Sequence, residues 1–308
     1  MAMTEFYLDS HGKGKLHCCK WTPTQMPKAV VQIVHGIAEY AERYDAFARF
    51  LNAHGIAVVA EDHMGHGKSV GNDLPLGYFY GGWLAAVADS YSLMKKTMTE
   101  YPGIPYILFG HSMGSFIARN YICRYGTGID AAVIMGTGMQ PGAVLRAALI
   151  LAGVQKLFYG SRHVSKLIDK MAFGGYGSKI ANPRTPWDWL SRDEERVDRY
   201  IADPMCGFTF TVNGFGALFT LVSRLHSQEN LKAVPKDLPV FMVSGDADPV
   251  GDYGKGVRRA YDSLVAAGLK DISLKLYEGA RHELLNETNR AEVMEDILKW
   301  VQSKVLKQ

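Results

Sequence analysis

A serine, Ser112, stands between two glycines, Gly110 and Gly114, in the stretch "LFGHSMGSF" at residues 108–116. In that setting the hydroxyl belongs either to an ordinary loop serine or to a nucleophile held on a tight strand–turn–helix elbow. Serine is a weak nucleophile at its free pKa, so the second reading requires a base and a group that orients the base. Two later stretches supply both. "SGDADPVGD" (244–252) carries Asp246, Asp248 and Asp252, and "EGARHELLNE" (278–287) carries His282. The chain order is serine, then aspartate, then histidine, one of several orders in which these three residues occur in serine hydrolases. His111, beside the serine, reads as a packed neighbour whose backbone is committed to the turn.

These residues act together only if the fold brings three distant segments to one place. Continuous apolar, β-branched runs predict buried strands at "AVVQIV" (29–34), "GIAVVAEDH" (55–63), "PYILFG" (105–110), "AAVIMGTG" (131–138) and "PVFMVSGD" (239–246), with a more alternating one at "ISLKLYEG" (272–279). Helical patterns at 43–53, 82–100, 113–125, 253–267 and 289–305 separate them. Alternating strands and helices predict an α/β fold, a mostly parallel central sheet with helices on both faces. Segments 4–9 and 16–21 suit an antiparallel edge hairpin. Ser112, Asp248 and His282 each fall just past a strand, where open parallel sheets bind ligands. The alternation breaks between 140 and 230, where an apolar helical stretch (143–158), "FGGYGS" (173–178) and "GFTFTVNGFGALFTLV" (207–222) replace core strands. The predicted organisation is a core of 1–139 and 231–308, with a mainly helical insertion at 140–230.

The 308 residues are 47% hydrophobic and 21% charged, with a net charge of +3, which gives nucleic-acid binding no electrostatic support. The opening residues are too polar for a secretory signal, and the apolar window 143–154 contains Arg146 and is short for a bilayer span. The expected location is the cytoplasm, with all four cysteines reduced. Asp62, His63 and His66 in "DHMGHGKS" are nominal metal ligands, but a loop braced by side-chain hydrogen bonds is the favoured reading, and neither metal nor cofactor is expected.

The stretches "HGIAEYAERY" (35–44), "DHMGHGKS" (62–69), "GHSMGS" (110–115), "SGDADPV" (244–250) and "GARHE" (279–283) together resemble the α/β-hydrolases, and more narrowly the monoacylglycerol lipase and lysophospholipase group. The resemblance spans nearly the whole chain. It implies Ser112 as nucleophile, His282 as general base and acid, and Asp248 as the orienting carboxylate. It also implies an oxyanion hole from the backbone N–H groups of Ile37 and Met113, and a cap formed by the insertion. Glu39 and Arg43 match positions that help bind glycerol, and Tyr200 in "YIADP" matches a cap tyrosine of the same role. From the residues alone, Glu39 and Arg43 could equally be an ion pair at a helix start. Two departures stand out: Ser115 replaces a usual second glycine, and Leu285 stands where the animal enzymes carry another histidine.

The expected activity is hydrolysis of small-molecule monoacyl esters such as a monoacylglycerol or lysophospholipid, through an acyl-enzyme. Transient membrane-surface contact through the cap is a further expectation. The same three residues would also serve a broader carboxylesterase, a thioesterase, an amidase or an aminopeptidase. A peptidase needs a cap carboxylate for the substrate amine, and Asp193, Glu194 and Glu195 are candidates. A non-catalytic binding scaffold would be expected to have lost one of the three residues or the elbow glycines, and this chain retains them.

Overall fold

The computed structural model describes residues 2–71 and 75–306. The strands are β1 (Ala2–Asp9), β2 (Lys15–Thr22), β3 (Ala29–Val34), β4 (Ile56–Glu61), β5 (Tyr106–His111), β6 (Ala131–Met135), β7 (Val240–Gly245) and β8 (Ile272–Tyr277). They form one eight-stranded sheet in the order β1-β2-β4-β3-β5-β6-β7-β8. β2 runs antiparallel to β1 and to β4, and the remaining pairs are parallel. All six predicted core strands and the edge hairpin are present, with ends shifted by a few residues.

The period-two alternation of each strand divides its side chains between two layers. Val30, Val34, Leu108 and Ile134 point to one face, and Val31, Ile33, Phe109 and Val133 to the other. Helices α1 (Asp45–Ala53) and, near the end of the chain, α10 (Arg290–Lys304) cover the second face through Phe47, Leu51, Val293 and Ile297. Helices α2 (Gly82–Glu100), α3 (Met113–Tyr125) and α9 (Lys255–Ala266) cover the first through Val87, Ile117 and Leu264. The central strands are therefore apolar on both sides, which is why they read as continuous runs.

Between β6 and β7 the chain forms α4 (Gly142–Tyr159), α5 (Lys166–Phe173), α6 (Glu194–Ala202), α7 (Val212–Arg224) and α8 (Gln228–Lys232), and adds no strand to the sheet. Four of these helices start on side chains suited to capping. Ser165, Asp193, Thr211 and Ser227 accept the N–H groups of Ile168, Arg196, Gly214 and Asn230. The insertion is tied to the loops beyond the sheet by backbone bonds: Glu283 N–H donates to Leu190 O at 2.7 Å, and Gly207 N–H to Ala38 O at 3.0 Å. Helix α4 is longer than the apolar window alone suggests. It runs 18 residues and is long and apolar enough, by length and composition, to cross a membrane. One side of it nevertheless lines an internal cavity, described below.

Candidate active site

Ser112 occupies the turn between β5 and α3 with φ +53° and ψ −121°, a conformation that costs a non-glycine residue energy. The neighbouring glycines make the turn possible. A Cβ at Gly114 would lie 1.9 Å from Val34 O, and one at Gly110 would lie 2.5 Å from Gly114 O. Ser112 begins α3 without capping it. Its Oγ has no hydrogen-bond partner among the described residues. Ser115, at the position usually glycine, donates its hydroxyl to Ser112 O at 2.5 Å and braces the turn from behind.

His282 lies in the loop after β8 and Asp248 in the loop after β7, both buried. His282 Nδ1 is 2.9 Å from Asp248 Oδ2. Asp248 also accepts Val250 N–H at 2.8 Å, which fixes its carboxylate. The two competing aspartates are used elsewhere: Asp246 accepts Gly279 N–H at 2.7 Å, and Asp252 pairs with Arg259 at 3.1 Å. Ser112 and His282 line one chamber. Ile37 and Met113 flank Ser112 in the adjoining cavity, and neither backbone N–H has an acceptor among the described residues. The fold thus brings together all five residues expected to carry the chemistry.

Burial of the His282 ring disfavours its charged form, but the Asp248 carboxylate, through its charge and its hydrogen bond, outweighs this and raises the pKa above the ordinary histidine value. A base must be neutral to accept a proton. Ester hydrolysis is therefore expected to rise with pH through a midpoint above about 6.5. Asp248→Asn removes the raising charge and leaves the burial, so the midpoint of the residual activity should fall. A kcat/KM profile with an unmoved or raised midpoint in that variant would refute His282 as the base.

Glu39, Arg43 and Tyr200 stand beside the chamber, but their polar groups are engaged by the protein. Glu39 Oε1 accepts Gly36 N–H at 2.6 Å and Tyr44 OH at 2.8 Å, and lies 3.1 Å from His111 Nδ1. Its Oε2 takes Arg43 Nη1 at 2.5 Å. Arg43 also grips Glu283 through both nitrogens, at 2.9 and 2.8 Å, and lies 4.9 Å from the Tyr200 ring centroid. Tyr200 OH donates to Ala38 O at 3.3 Å. Burial alone would raise the Glu39 carboxyl, yet Arg43 beside it and the His111 ring hold it well below the usual range. In this arrangement the cluster braces the loop that carries Ile37. Glu39 and Arg43 form an ion pair as one reading had it, but a buried one: Glu39 is 3% exposed.

Asp62 accepts Ala41 N–H and Lys68 N–H, each at 2.8 Å, and lies 2.8 Å from His17 Nδ1. His35, His63 and His66 pack nearby at tilted and edge-on angles, with centroids 4.1–6.1 Å apart, and burial lowers the pKa of each. The segment is a braced loop. Of the carboxylates considered for a substrate amine, Asp193 pairs with Arg290, Glu195 with Arg199, and Glu194 lies 3.7 Å from Arg184. None of the three lines a chamber at Ser112.

Two spaces meet at Ser112. The larger, about 560 Å³, is walled by Phe116 from α3, Leu145, Ala148 and Leu151 from α4, Ile168 from α5, and Phe219 from α7. The smaller, about 30 Å³, holds His282, Trp187, Trp189, Tyr200 and Phe208, with Asp169 from α5. Trp189 also packs 5.2 Å from the His282 ring. Asp169, Trp189 and Glu283 escape sequence reasoning: Glu283 directly follows His282 and could have been weighed, whereas no local pattern marks Asp169.

The family described as serine aminopeptidase, S33, matches residues 25–289. A monoacylglycerol lipase from Mycolicibacterium smegmatis is 31% identical over 92% of this chain and 91% of its own length. The human monoglyceride lipase is 30% identical over 93% of this chain and 86% of its own. Among solved structures, a thermostable carboxyl esterase from Bacillus coagulans in complex with glycerol superposes with a TM-score of 0.92 at 30% identity, covering 99% of both chains. With the elbow, the sheet order and these likenesses together, the chain belongs to the α/β-hydrolases, in the monoacylglycerol lipase group.

Proposed function

We propose that the chain hydrolyses monoacyl lipid esters, monoacylglycerols foremost, through an acyl-enzyme on Ser112. The observation that carries this reading is the pairing of a large apolar cavity with a small, partly polar chamber, meeting at one serine. In this reading the acyl chain occupies the first space and the alcohol side of the ester faces the second. Ser112 attacks the ester carbonyl as His282 takes its proton, and Asp248 steadies the imidazolium. The oxyanion accepts the N–H groups of Ile37 and Met113. His282 then protonates the leaving alcohol, and a water activated by the same ring releases the fatty acid. The relatives named monoacylglycerol lipase, and the related esterase solved with glycerol, support this substrate class.

The 140–230 insertion acts in this reading as a cap that takes lipid from a surface. Outward on α4, Leu157 is 81% exposed and Phe158 74%, with Ile150 and Tyr159 also exposed, while α5 adds Leu167 and Met171. Exposed apolar side chains on two neighbouring helices of this kind suit a lipid interface. Four free cysteines support a reducing compartment such as the cytoplasm.

The test is turnover of a panel: monoacylglycerols in vesicles, a lysophosphatidylcholine, a diacylglycerol, a soluble short-chain ester and an aminoacyl-naphthylamide. The monoacylglycerol should lead the lysophospholipid by about tenfold or more, a difference of about 1.4 kcal/mol in transition-state binding. Leu157→Glu with Phe158→Glu should slow only the vesicle-borne substrate. Preferred cleavage of the naphthylamide would replace this reading with a peptidase.

A further inference from the structure

Three carboxylates line the small chamber: Glu39, Asp169 and Glu283. Two are neutralised in place by Arg43. The third, on α5, has no hydrogen-bond or ion-pair partner among the described residues. It is only partly buried, and that burial, unrelieved by any partner, raises its pKa above the ordinary aspartate value. The remaining walls are largely aromatic, with Phe173, Trp187, Trp189, Tyr200 and Phe208 around the space. Trp187 and Tyr200 stand 5.2 Å apart, centroid to centroid.

We propose that Asp169 is a specificity-determining residue that selects the leaving alcohol by charge: cationic and hydroxyl-bearing alcohols are accepted, and anionic ones are excluded. The proposal rests on the ester-hydrolase reading of Ser112 and deepens it. A half-buried carboxylate with no protein partner gains from a group that donates a hydrogen bond or carries positive charge. Aromatic faces favour the same cations. An anion would meet Asp169 in a space that, among the described residues, no lysine or arginine lines, so it would lose its water and gain no partner. The chamber is also small, about 30 Å³, which favours compact alcohols over bulky head groups.

Asp169 also sits in the first turn of α5, where a carboxylate stabilises the helix. That role would affect folding, not the ranking of substrates, and the experiment separates the two. Decanoyl esters of three alcohols of similar size are compared at pH 7: glycerol, 2-(dimethylamino)ethanol, which is cationic, and glycolate, which is anionic. The p-nitrophenyl ester of the same acid serves as a control for the Ser112 chemistry. Wild-type kcat/KM for the cationic ester should exceed that for the anionic one by about tenfold or more, with glycerol between or near the top. Asp169→Asn, which keeps size and hydrogen bonding, should collapse that ratio by about tenfold, while an acylation burst with the p-nitrophenyl ester shows that the Ser112 chemistry is intact. An unchanged ratio in Asp169→Asn, or an equal loss on the glycerol, cationic and anionic esters, overturns the proposal. Poor turnover of the glycerol ester by the wild type, with the charge ranking intact, would instead refute the monoacylglycerol reading and leave Asp169 as proposed.

Discussion

Ser112→Ala is expected to abolish ester turnover, by about 10⁴-fold or more, with the thermal melt unchanged. The side chain is buried but small, and its Oγ holds no other part of the protein, so the fold has little to lose. Alanine also fits the elbow, since the strained φ of +53° is imposed by the surrounding chain and not by the hydroxyl. What disappears is the atom that forms the covalent bond. The residual rate can come only from water held near the oxyanion donors of Ile37 and Met113. The variant should show no acylation burst with a p-nitrophenyl ester and no labelling by a fluorophosphonate. Retention of more than about 1% of the wild-type rate would mean that the nucleophile lies elsewhere. His282→Ala should cost a similar amount, because residues that act as one unit fail together.

The architecture was legible in the sequence because its strongest signals are local. A strand buried on both faces must be apolar at every position, and "AVVQIV" or "PYILFG" can hardly be anything else. The elbow was legible because Gly110 and Gly114 leave no room for a side chain. Choosing Asp248 over Asp246 and Asp252 required the resemblance, since all three lie in one loop; the geometry distinguishes them by what each carboxylate accepts. The alcohol side was least legible. Glu39, Arg43 and Tyr200 are near the chamber as family position implied, yet a sequence does not reveal that Glu283 and Tyr44 complete a closed network around them. Asp169 was invisible for the opposite reason: its significance lies in having no partner, which only three-dimensional placement can show.

Glu39→Ala follows from that network and is expected to have the largest effect of any residue outside Ser112, Asp248 and His282. Gly36 N–H, Tyr44 OH and the His111 ring all meet Glu39 Oε1 at 2.6–3.1 Å. Removing the carboxylate leaves these groups without their shared partner, and Arg43 keeps only Glu283. Breaking one side of a buried charge pair costs about 3–5 kcal/mol of stability, which a chemical denaturation curve would register. The catalytic effect follows through Gly36, whose neighbour Ile37 offers an N–H to the oxyanion. Losing one such donor costs about 10²–10³ in kcat. Because that donor serves every ester, the glycerol ester and the p-nitrophenyl ester should fall together. Glu39→Gln retains an acceptor for Gly36 and should keep more activity, and it supplies the measurement if the alanine variant fails to fold. Should either variant instead lose the glycerol ester selectively, with p-nitrophenyl hydrolysis unchanged, Glu39 would be a substrate contact, and the network around it would have to open when the alcohol binds.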